Sequence, residues 1–136
     1  MSASPNTFVP CLSFALPALP ANVGEAHRRV RAFAASHGAI GEALACIELA
    51  VSEAAANVVL HAYGGSGAGV VRIDADVEDG ELELVVADEG VGFAGEQGPG
   101  LGLGLGLVRH GALALEIRDR PLGGVELWAR FALARS

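Results

Sequence analysis

Apolar residues follow a helix-like repeat in three stretches of this chain. A helix over residues 40–63 is predicted from apolar positions spaced by three or four residues, namely Leu44, Ile47, Val51, Ala54 and Val58. A shorter stripe through Val30 predicts an earlier helix, which we expect Asn22 to cap and Gly38 to end. A third helix is predicted over residues 101–113.

Alternation of apolar and polar residues predicts five strands in the remaining stretches. The first covers residues 8–16, where Pro10 indicates an edge strand. Strands over 70–77 and 81–87 flank Glu78-Asp79-Gly80, which is typical of a hairpin turn. Strands over 115–118 and 125–133 flank a second turn, which is rich in glycine.

These elements predict an α+β fold. We expect a two-layer sandwich in which a mostly antiparallel mixed sheet carries three helices on one face. A doubly wound nucleotide-binding sheet is excluded, because its strands need helical crossovers and two pairs of strands here are joined by hairpins. We expect residues 1–7 to form a flexible N-terminal tail and residues 8–136 to form one domain.

Charge and cysteine content narrow the choice of partners and compartment. The net charge is −7 and every basic residue is an arginine, so we expect no direct binding of nucleic acid. No apolar run approaches the roughly twenty residues that span a bilayer, so we expect no membrane segment. Cys11 and Cys46 fit no metal or redox spacing, which favours a reducing, cytoplasmic location.

Three polar residues spaced by four lie within the apolar second helix. Glu53, Asn57 and His61 share one helical face beside the apolar stripe. Mg²⁺ accepts a carboxamide oxygen together with substrate phosphates, and a carboxylate one turn earlier could deprotonate a hydroxyl or a water. An ordinary solvated helix face has the same spacing, and it is the more frequent outcome for such residues taken alone.

An aspartate and two glycines follow the strand over 81–87. The segment reads Asp88-Glu89-Gly90-Val91-Gly92, and the Asp88 carboxylate could accept a hydrogen bond from an amine such as that of adenine. Gly90 and Gly92 would let a ligand approach the backbone closely. A plain turn explains the same residues equally well.

A glycine-rich segment, Gly100-Leu101-Gly102-Leu103-Gly104-Leu105, opens the third predicted helix. The exposed N–H groups and the dipole of a helix start favour phosphate. Each glycine costs about 1 kcal/mol of helix stability relative to alanine, so a phosphate site explains the segment better than a flexible lid without a ligand. The chain has no lysine, which rules out a Walker loop.

Together these segments resemble the ATPase superfamily shared by gyrase, the heat-shock chaperones, histidine kinases and mismatch-repair proteins, whose nucleotide-binding unit is the Bergerat fold. Residues 51–57 with 61–63 resemble its N box, and the segments 88–93 and 100–105 resemble its two glycine boxes. Within the superfamily the chain is most similar to the bacterial anti-sigma-factor serine/threonine kinases. The resemblance covers the chain from Phe14 to Leu133.

The resemblance implies a role for each matching residue. Glu53 would be the general base, Asn57 would bind Mg²⁺, and Asp88 would read the adenine of ATP. The other residues implied in binding ATP are His61, Gly90, Gly92, Gly100, Leu101, Gly102, Leu103 and Gly104. Members of this family typically phosphorylate a small anti-anti-sigma protein of the STAS type on serine, hold a sigma factor or another regulator, and commonly form homodimers.

The chain departs from the family pattern at two places. An arginine common in the first helix of such kinases falls on His27, and the usual end of the third helix is replaced by Gly111-Ala112-Leu113. We expect the histidines at 27, 37 and 110 to be surface or capping residues.

Three functions are compatible with these motifs. The first is an ATP-dependent protein kinase that also acts as an anti-sigma regulator. The second is a non-catalytic ATP-binding module of the same fold that switches partners, although a pure binder has no need for the Glu53 carboxylate. The third, a detached histidine-kinase catalytic domain, is disfavoured because no helical hairpin with a phosphoacceptor histidine precedes the motifs.

Overall fold

The computed structural model of the chain describes residues 11–62, 69–88, 103–119 and 124–134. The elements in chain order are β1 (Leu12–Pro17), α1 (Ala21–Ser36), α2 (Gly41–Asn57), a π-helical turn (Val58–Ala62), β2 (Val70–Glu78), β3 (Glu81–Asp88), α3 (Leu103–Gly111), β4 (Ala114–Asp119) and β5 (Val125–Ala132).

The strands form one five-stranded sheet in the order β1-β2-β3-β5-β4. Each neighbouring pair is antiparallel. An isolated parallel bridge joins Ile40 to Ala134. The β2–β3 hairpin turns at Asp79 and Gly80, whose φ angles of 54° and 75° are the left-handed pair that matches the twist of two hairpin strands. The hairpin predicted from Glu78-Asp79-Gly80 is therefore confirmed.

One face of the sheet is buried against the helices. Its side chains come from alternate positions of the three central strands and are Val71, Ile73, Ala75, Leu82, Leu84, Val86, Leu127, Ala129 and Phe131. They form one core with Val30 of α1, Ile47 of α2 and Val108 of α3. Because all three helices contribute to the same core, the predicted two-layer α+β sandwich is confirmed.

The other face of the sheet is polar around a single tryptophan. The ring of Trp128 is covered by the guanidinium groups of Arg118 and Arg130, which lie 4.8 and 5.1 Å from its centroid. Its indole N–H donates to the Glu83 carboxylate. These contacts leave Trp128 only 8% exposed although no helix covers it among the described residues.

The start of α1 differs from the prediction. Asn22 lies inside the first turn, and the N-cap residue is Pro20, which forms no side-chain cap. The side-chain amide of Asn22 instead donates to the Pro17 carbonyl at 2.8 Å, so it ties the helix to the end of β1. The other end is as predicted, since Gly38 has a φ of 101° and its N–H donates to the Ala35 carbonyl at 3.1 Å.

The end of α3 also differs from the prediction. The helix stops at Gly111 rather than at residue 113. The Leu113 N–H donates to the Arg130 carbonyl of β5 at 2.7 Å, so the chain has already joined the sheet two residues after the helix. A strand partner that is distant in sequence therefore sets this boundary.

We expected no segment long and apolar enough to span a bilayer. That expectation is wrong, because one helical stretch meets both criteria by its length and composition. Gly41–Leu60 is a continuous helical stretch of 20 residues that contains an 18-residue window with a mean hydropathy of 1.7. Interspersed polar residues hid it from a search for uninterrupted apolar runs. Its buried residues, such as Ile47 and Val51, pack in the core of this fold. A core helix passes the same test, so the stretch is weak evidence for a membrane.

Candidate functional site

Two of the predicted site residues lie on α2 between its core stripe and solvent. Glu53 and Asn57 are one turn apart and half-buried, whereas Val51, Ala54 and Ala55 beside them are buried. Small alanines let α2 pack closely on the sheet, so these polar side chains stand at the border of the core. A carboxylate and a carboxamide oxygen placed in this way offer hard ligands to a metal–phosphate group.

Asp88 is the last residue of β3 and the only buried charged residue among those the structure describes, with 0% exposure. It pairs with Val71, whose side chain is in the core, so the pleat directs the Asp88 side chain to the face that carries the helices. The carboxylate therefore lies in the same layer as α2 and α3.

The Asp88 carboxylate is held by the start of β5. Its Oδ2 accepts a hydrogen bond from the Val125 N–H at 3.0 Å. Gly124 lies so close that a Cβ built there would approach both the carbonyl oxygen and Oδ1 of Asp88 to 2.6 Å, and its φ is 96°. Only glycine fits such a position without strain or displacement. The end of the β4–β5 connection thus fixes the orientation of the aspartate.

Sequence reasoning missed Gly124 and Val125 as site residues. The glycine pair at 123–124 predicted only a turn before the last strand. The signal that could have found them is a glycine placed directly before β5. However, that β5 pairs with β3 is a property of the folded sheet. Without that order, nothing along the chain connects Gly124 to Asp88.

Part of the predicted site lies outside the described residues. This holds for Gly90, Gly92, Gly100, Leu101 and Gly102. Leu103 and Gly104 are described as the first two residues of α3, so a helix does begin within the glycine-rich segment. The phosphate role of that helix start stays a prediction.

His61 was predicted to share a helical face with Glu53 and Asn57. The α-helix does not continue as far as His61. Asn57 is the last α-helical residue, and His61 lies in the π-helical turn Val58–Ala62. A wider turn changes the angular position of each residue about the axis. The side chain of His61 lies outside what the structure describes. The turn itself packs against β3, the strand that ends in Asp88.

The residues fit the group that the motifs imply, a magnesium–nucleotide complex. A carboxylate can accept about four hydrogen bonds, so Asp88 can hold the Val125 N–H and accept an amine at the same time. No group of three or more His, Cys, Asp or Glu side chains in the described part of the chain could hold a metal alone. If Mg²⁺ binds at Asn57, phosphate oxygens would complete its coordination, which is how this ion is commonly held.

His27 is partly exposed, as expected of a surface residue, and it also contacts α2. Its Nε2 lies 2.7 Å from Oε1 of Glu48 on α2, and the Arg31 side chain donates to the other oxygen of Glu48 at 3.1 Å. Glu48 thus joins two residues of α1 to α2. His37, by contrast, lies at the end of α1 with Nδ1 3.0 Å from the Phe33 carbonyl, as a capping residue would.

The family of the chain follows from comparison with known proteins. Residues 16–131 match the family model of the histidine kinase-like ATPase domain. The chain belongs to this family. The resemblance drawn from the three sequence segments is thereby confirmed, and the antiparallel sheet with helices on one face is consistent with the ATPase domain.

Several curated proteins similar to this ATPase domain carry the name Anti-sigma F factor. The protein from Shouchella clausii (strain KSM-K16) is 40% identical over 83 residues, which are 61% of this chain and 57% of that protein. The protein from Geobacillus sp. (strain WCH70) is 39% identical over 77 residues, 57% of this chain and 53% of that protein. The chain thus spans about half the length of the curated relatives it matches.

Proposed function

We propose that this chain is an ATP-dependent serine/threonine protein kinase and anti-sigma regulator. It phosphorylates a small antagonist of the STAS type on serine and, as a second activity, sequesters a sigma factor or another regulator. Two facts support this: membership of the histidine kinase-like ATPase family, and the name Anti-sigma F factor carried by its relatives. We propose that it works in the cytoplasm as a homodimer.

The observation that carries the proposal is the buried Asp88 carboxylate held by the Val125 N–H. An acceptor fixed at the helix-facing side of the sheet suits the exocyclic amine of adenine, which donates to a carboxylate. Guanine presents a carbonyl oxygen at that position, so the same aspartate selects ATP over GTP.

Polar side chains of α2 carry out the phosphoryl transfer. Glu53 accepts the proton of the substrate serine hydroxyl as its oxygen attacks the γ-phosphorus, and the bond from the γ-phosphorus to the bridging oxygen of ADP breaks. Asn57, one turn later, contributes its carbonyl oxygen to the site of Mg²⁺. When bound, the ion neutralises charge on the phosphates. The N–H groups at the start of α3 hold phosphate oxygens.

Phosphate transfer to protein is the direct test. The purified chain is incubated with Mg²⁺, radiolabelled ATP and candidate STAS-type domains, and phosphoserine is identified by mass spectrometry. We expect label on a serine of one antagonist and none with Glu53→Ala, whose ATP affinity should stay within about threefold of the wild type. Loss of ATP binding in that variant would contradict the role given to Glu53.

The same experiment separates the kinase from the non-catalytic module. A module that only switches partners binds ATP, and its affinity for the antagonist depends on nucleotide, but no label moves to serine. If wild-type protein binds Mg-ATP without labelling any antagonist that it binds, the kinase proposal fails and the module is the better description.

A further inference from the structure

Helices α2 and α3 meet at a contact between a cysteine and a glycine. The Cys46 thiol lies 3.6 Å from the Val108 carbonyl oxygen, within the distance of a weak hydrogen bond from sulfur. At Gly111, a Cβ built on the backbone would come within 2.9 Å of the Cys46 sulfur and 3.6 Å of its Cβ. The sulfur therefore fills the space that a side chain at Gly111 would need.

The contact lies at the C-terminal end of α3, away from the glycine-rich segment that opens it. The helix is nine residues long, from Leu103 to Gly111. Because the axis of α3 is only roughly 13 Å long, we expect a displacement at Gly111 to reach its first turn. Val108, which is fully buried between the two ends, seats the helix in the core.

We infer that Gly111 and Cys46 are positioning residues of the nucleotide site, because their contact sets how closely α3 lies on α2. The inference rests on the proposed function, in which the start of α3 holds phosphate.

The substitution Gly111→Ala tests the contact. The new methyl group and the sulfur cannot both keep their positions at 2.9 Å. Turning the thiol away would end its contact with Val108, and its rotation is restricted because one of the three side-chain wells is rarely used in a helix. We therefore expect α3 to shift and the dissociation constant for Mg-ATP to rise about tenfold, an effect of the size that overpacking produces.

The double variant Cys46→Ala/Gly111→Ala makes the test specific. Once the sulfur is removed, the nearest atom to the new methyl is the Cβ of residue 46, at an ordinary contact distance of 3.6 Å. We expect the double variant to bind Mg-ATP within about threefold of wild type and Cys46→Ala alone to bind within about twofold. Rescue of this kind arises only if the sulfur causes the defect.

A second glycine of the same helix gives a matched control. Gly106 is exposed, and a Cβ built there meets nothing within 4 Å. Gly106→Ala therefore adds the same methyl group to the same helix without the contact, and we expect unchanged affinity. Melting curves accompany each titration, so that affinities are compared between folded proteins. Should Gly111→Ala fail to fold, Cys46→Val crowds the contact from the other side and should weaken binding in the same way.

Isothermal titration calorimetry with Mg-ATP distinguishes the outcomes. Wild-type affinity in folded Gly111→Ala, or a double variant as weak as Gly111→Ala, overturns the inference while leaving the proposed function standing. If the wild-type protein itself binds no Mg-ATP, the proposed function fails and the inference falls with it. Hydrogen exchange should show faster exchange of α3 amides in Gly111→Ala and wild-type rates in the double variant.

Discussion

The Val125 N–H donates a 3.0 Å hydrogen bond to Oδ2 of Asp88, which links the first residue of β5 to the last residue of β3. Both strands lie side by side in the sheet. The bond uses a backbone donor, so the orientation of the aspartate does not depend on the side chain at position 125. It depends instead on the path of the chain through Gly124.

Replacing Gly124 by alanine should therefore weaken nucleotide binding. The new methyl would lie 2.6 Å from two oxygen atoms of Asp88, and the backbone at φ 96° is strained for any residue with a side chain. We expect Mg-ATP affinity to fall by more than about tenfold, since overpacking of this kind costs about 1–3 kcal/mol. Calorimetry measures the effect.

The matched control is Gly80→Ala. Gly80 also has a positive φ, 75°, but a Cβ there meets nothing within 4 Å. It lies in the β2–β3 turn. This variant should lose about 1 kcal/mol of stability from the strained backbone and keep its nucleotide affinity. Equal loss of affinity in both variants would show that strain, rather than contact with Asp88, is responsible.

Substituting Asp88 by asparagine separates binding from folding. The carboxamide oxygen can still accept from the Val125 N–H, so we expect the free energy of unfolding to change by less than about 1.5 kcal/mol. The amide nitrogen would place a hydrogen-bond donor against the donor of the ligand amine. This should weaken the binding of Mg-ATP by at least about tenfold. The comparison of chemical denaturation with titration calorimetry checks both. Retained affinity would remove Asp88 from the adenine site.

Glu48 should prove to be a link between α1 and α2. Its two carboxylate oxygens contact His27 at 2.7 Å and Arg31 at 3.1 Å, and its side chain is 26% exposed. Glu48→Ala should lower the free energy of unfolding by about 1 kcal/mol, the upper end for partly exposed pairs. The double-mutant cycle with Arg31→Ala measures the coupling. Additive effects would indicate that the bridge contributes nothing.

The stability of α1 should depend on pH through Glu25. Hydrogen bonds from Arg29 and then Arg28 lower the pKa of the Glu25 carboxyl below its ordinary value of 4.5. A lowered pKa in the folded state stabilises the protein above pH 4.5, and that contribution is lost as the pH falls through the folded-state value. The pair is exposed, so the effect is small and screened by salt.

Melting temperatures at low ionic strength test this dependence. Wild type should melt above Glu25→Gln at pH 7, and the difference should shrink as the pH falls below 4.5 and when salt is added. A difference that persists at low pH in high salt would assign the effect to packing of the side chain rather than to charge.

The Cys11 thiol should react slowly for an exposed cysteine. It donates a 2.9 Å hydrogen bond to Asp76, and this bond raises the pKa of the thiol above its ordinary value of 9.0. The thiolate is the reactive form, so Asp76→Asn should speed alkylation by iodoacetamide at pH 8. Mass spectrometry follows position 11 separately from Cys46. An unchanged rate at position 11 would contradict the role of Asp76.

The amino-acid sequence determined the elements and the family. The repeat of apolar residues is a local property, so it located the three helices, the β2–β3 hairpin and the apolar stripe of α2. Asp88 was also predicted from a local pattern, because a short segment of sequence shows an aspartate that follows a buried strand and precedes glycines. Local patterns failed at Asn22, whose side chain bonds to the end of β1 instead of capping α1, and at Leu113, whose hydrogen-bond partner lies in the distant strand β5.

Only the tertiary structure decided which residues hold the site in place. Gly124 and Asp88 are far apart in sequence and become neighbours because β5 pairs with β3, and Gly111 meets Cys46 because α3 packs on α2. Both contacts are set by the closeness of two backbones, which no single segment encodes. The physical reason is that sequence periodicity reports which face of an element is buried, whereas the order of strands and the spacing of helices depend on all the elements packing at once.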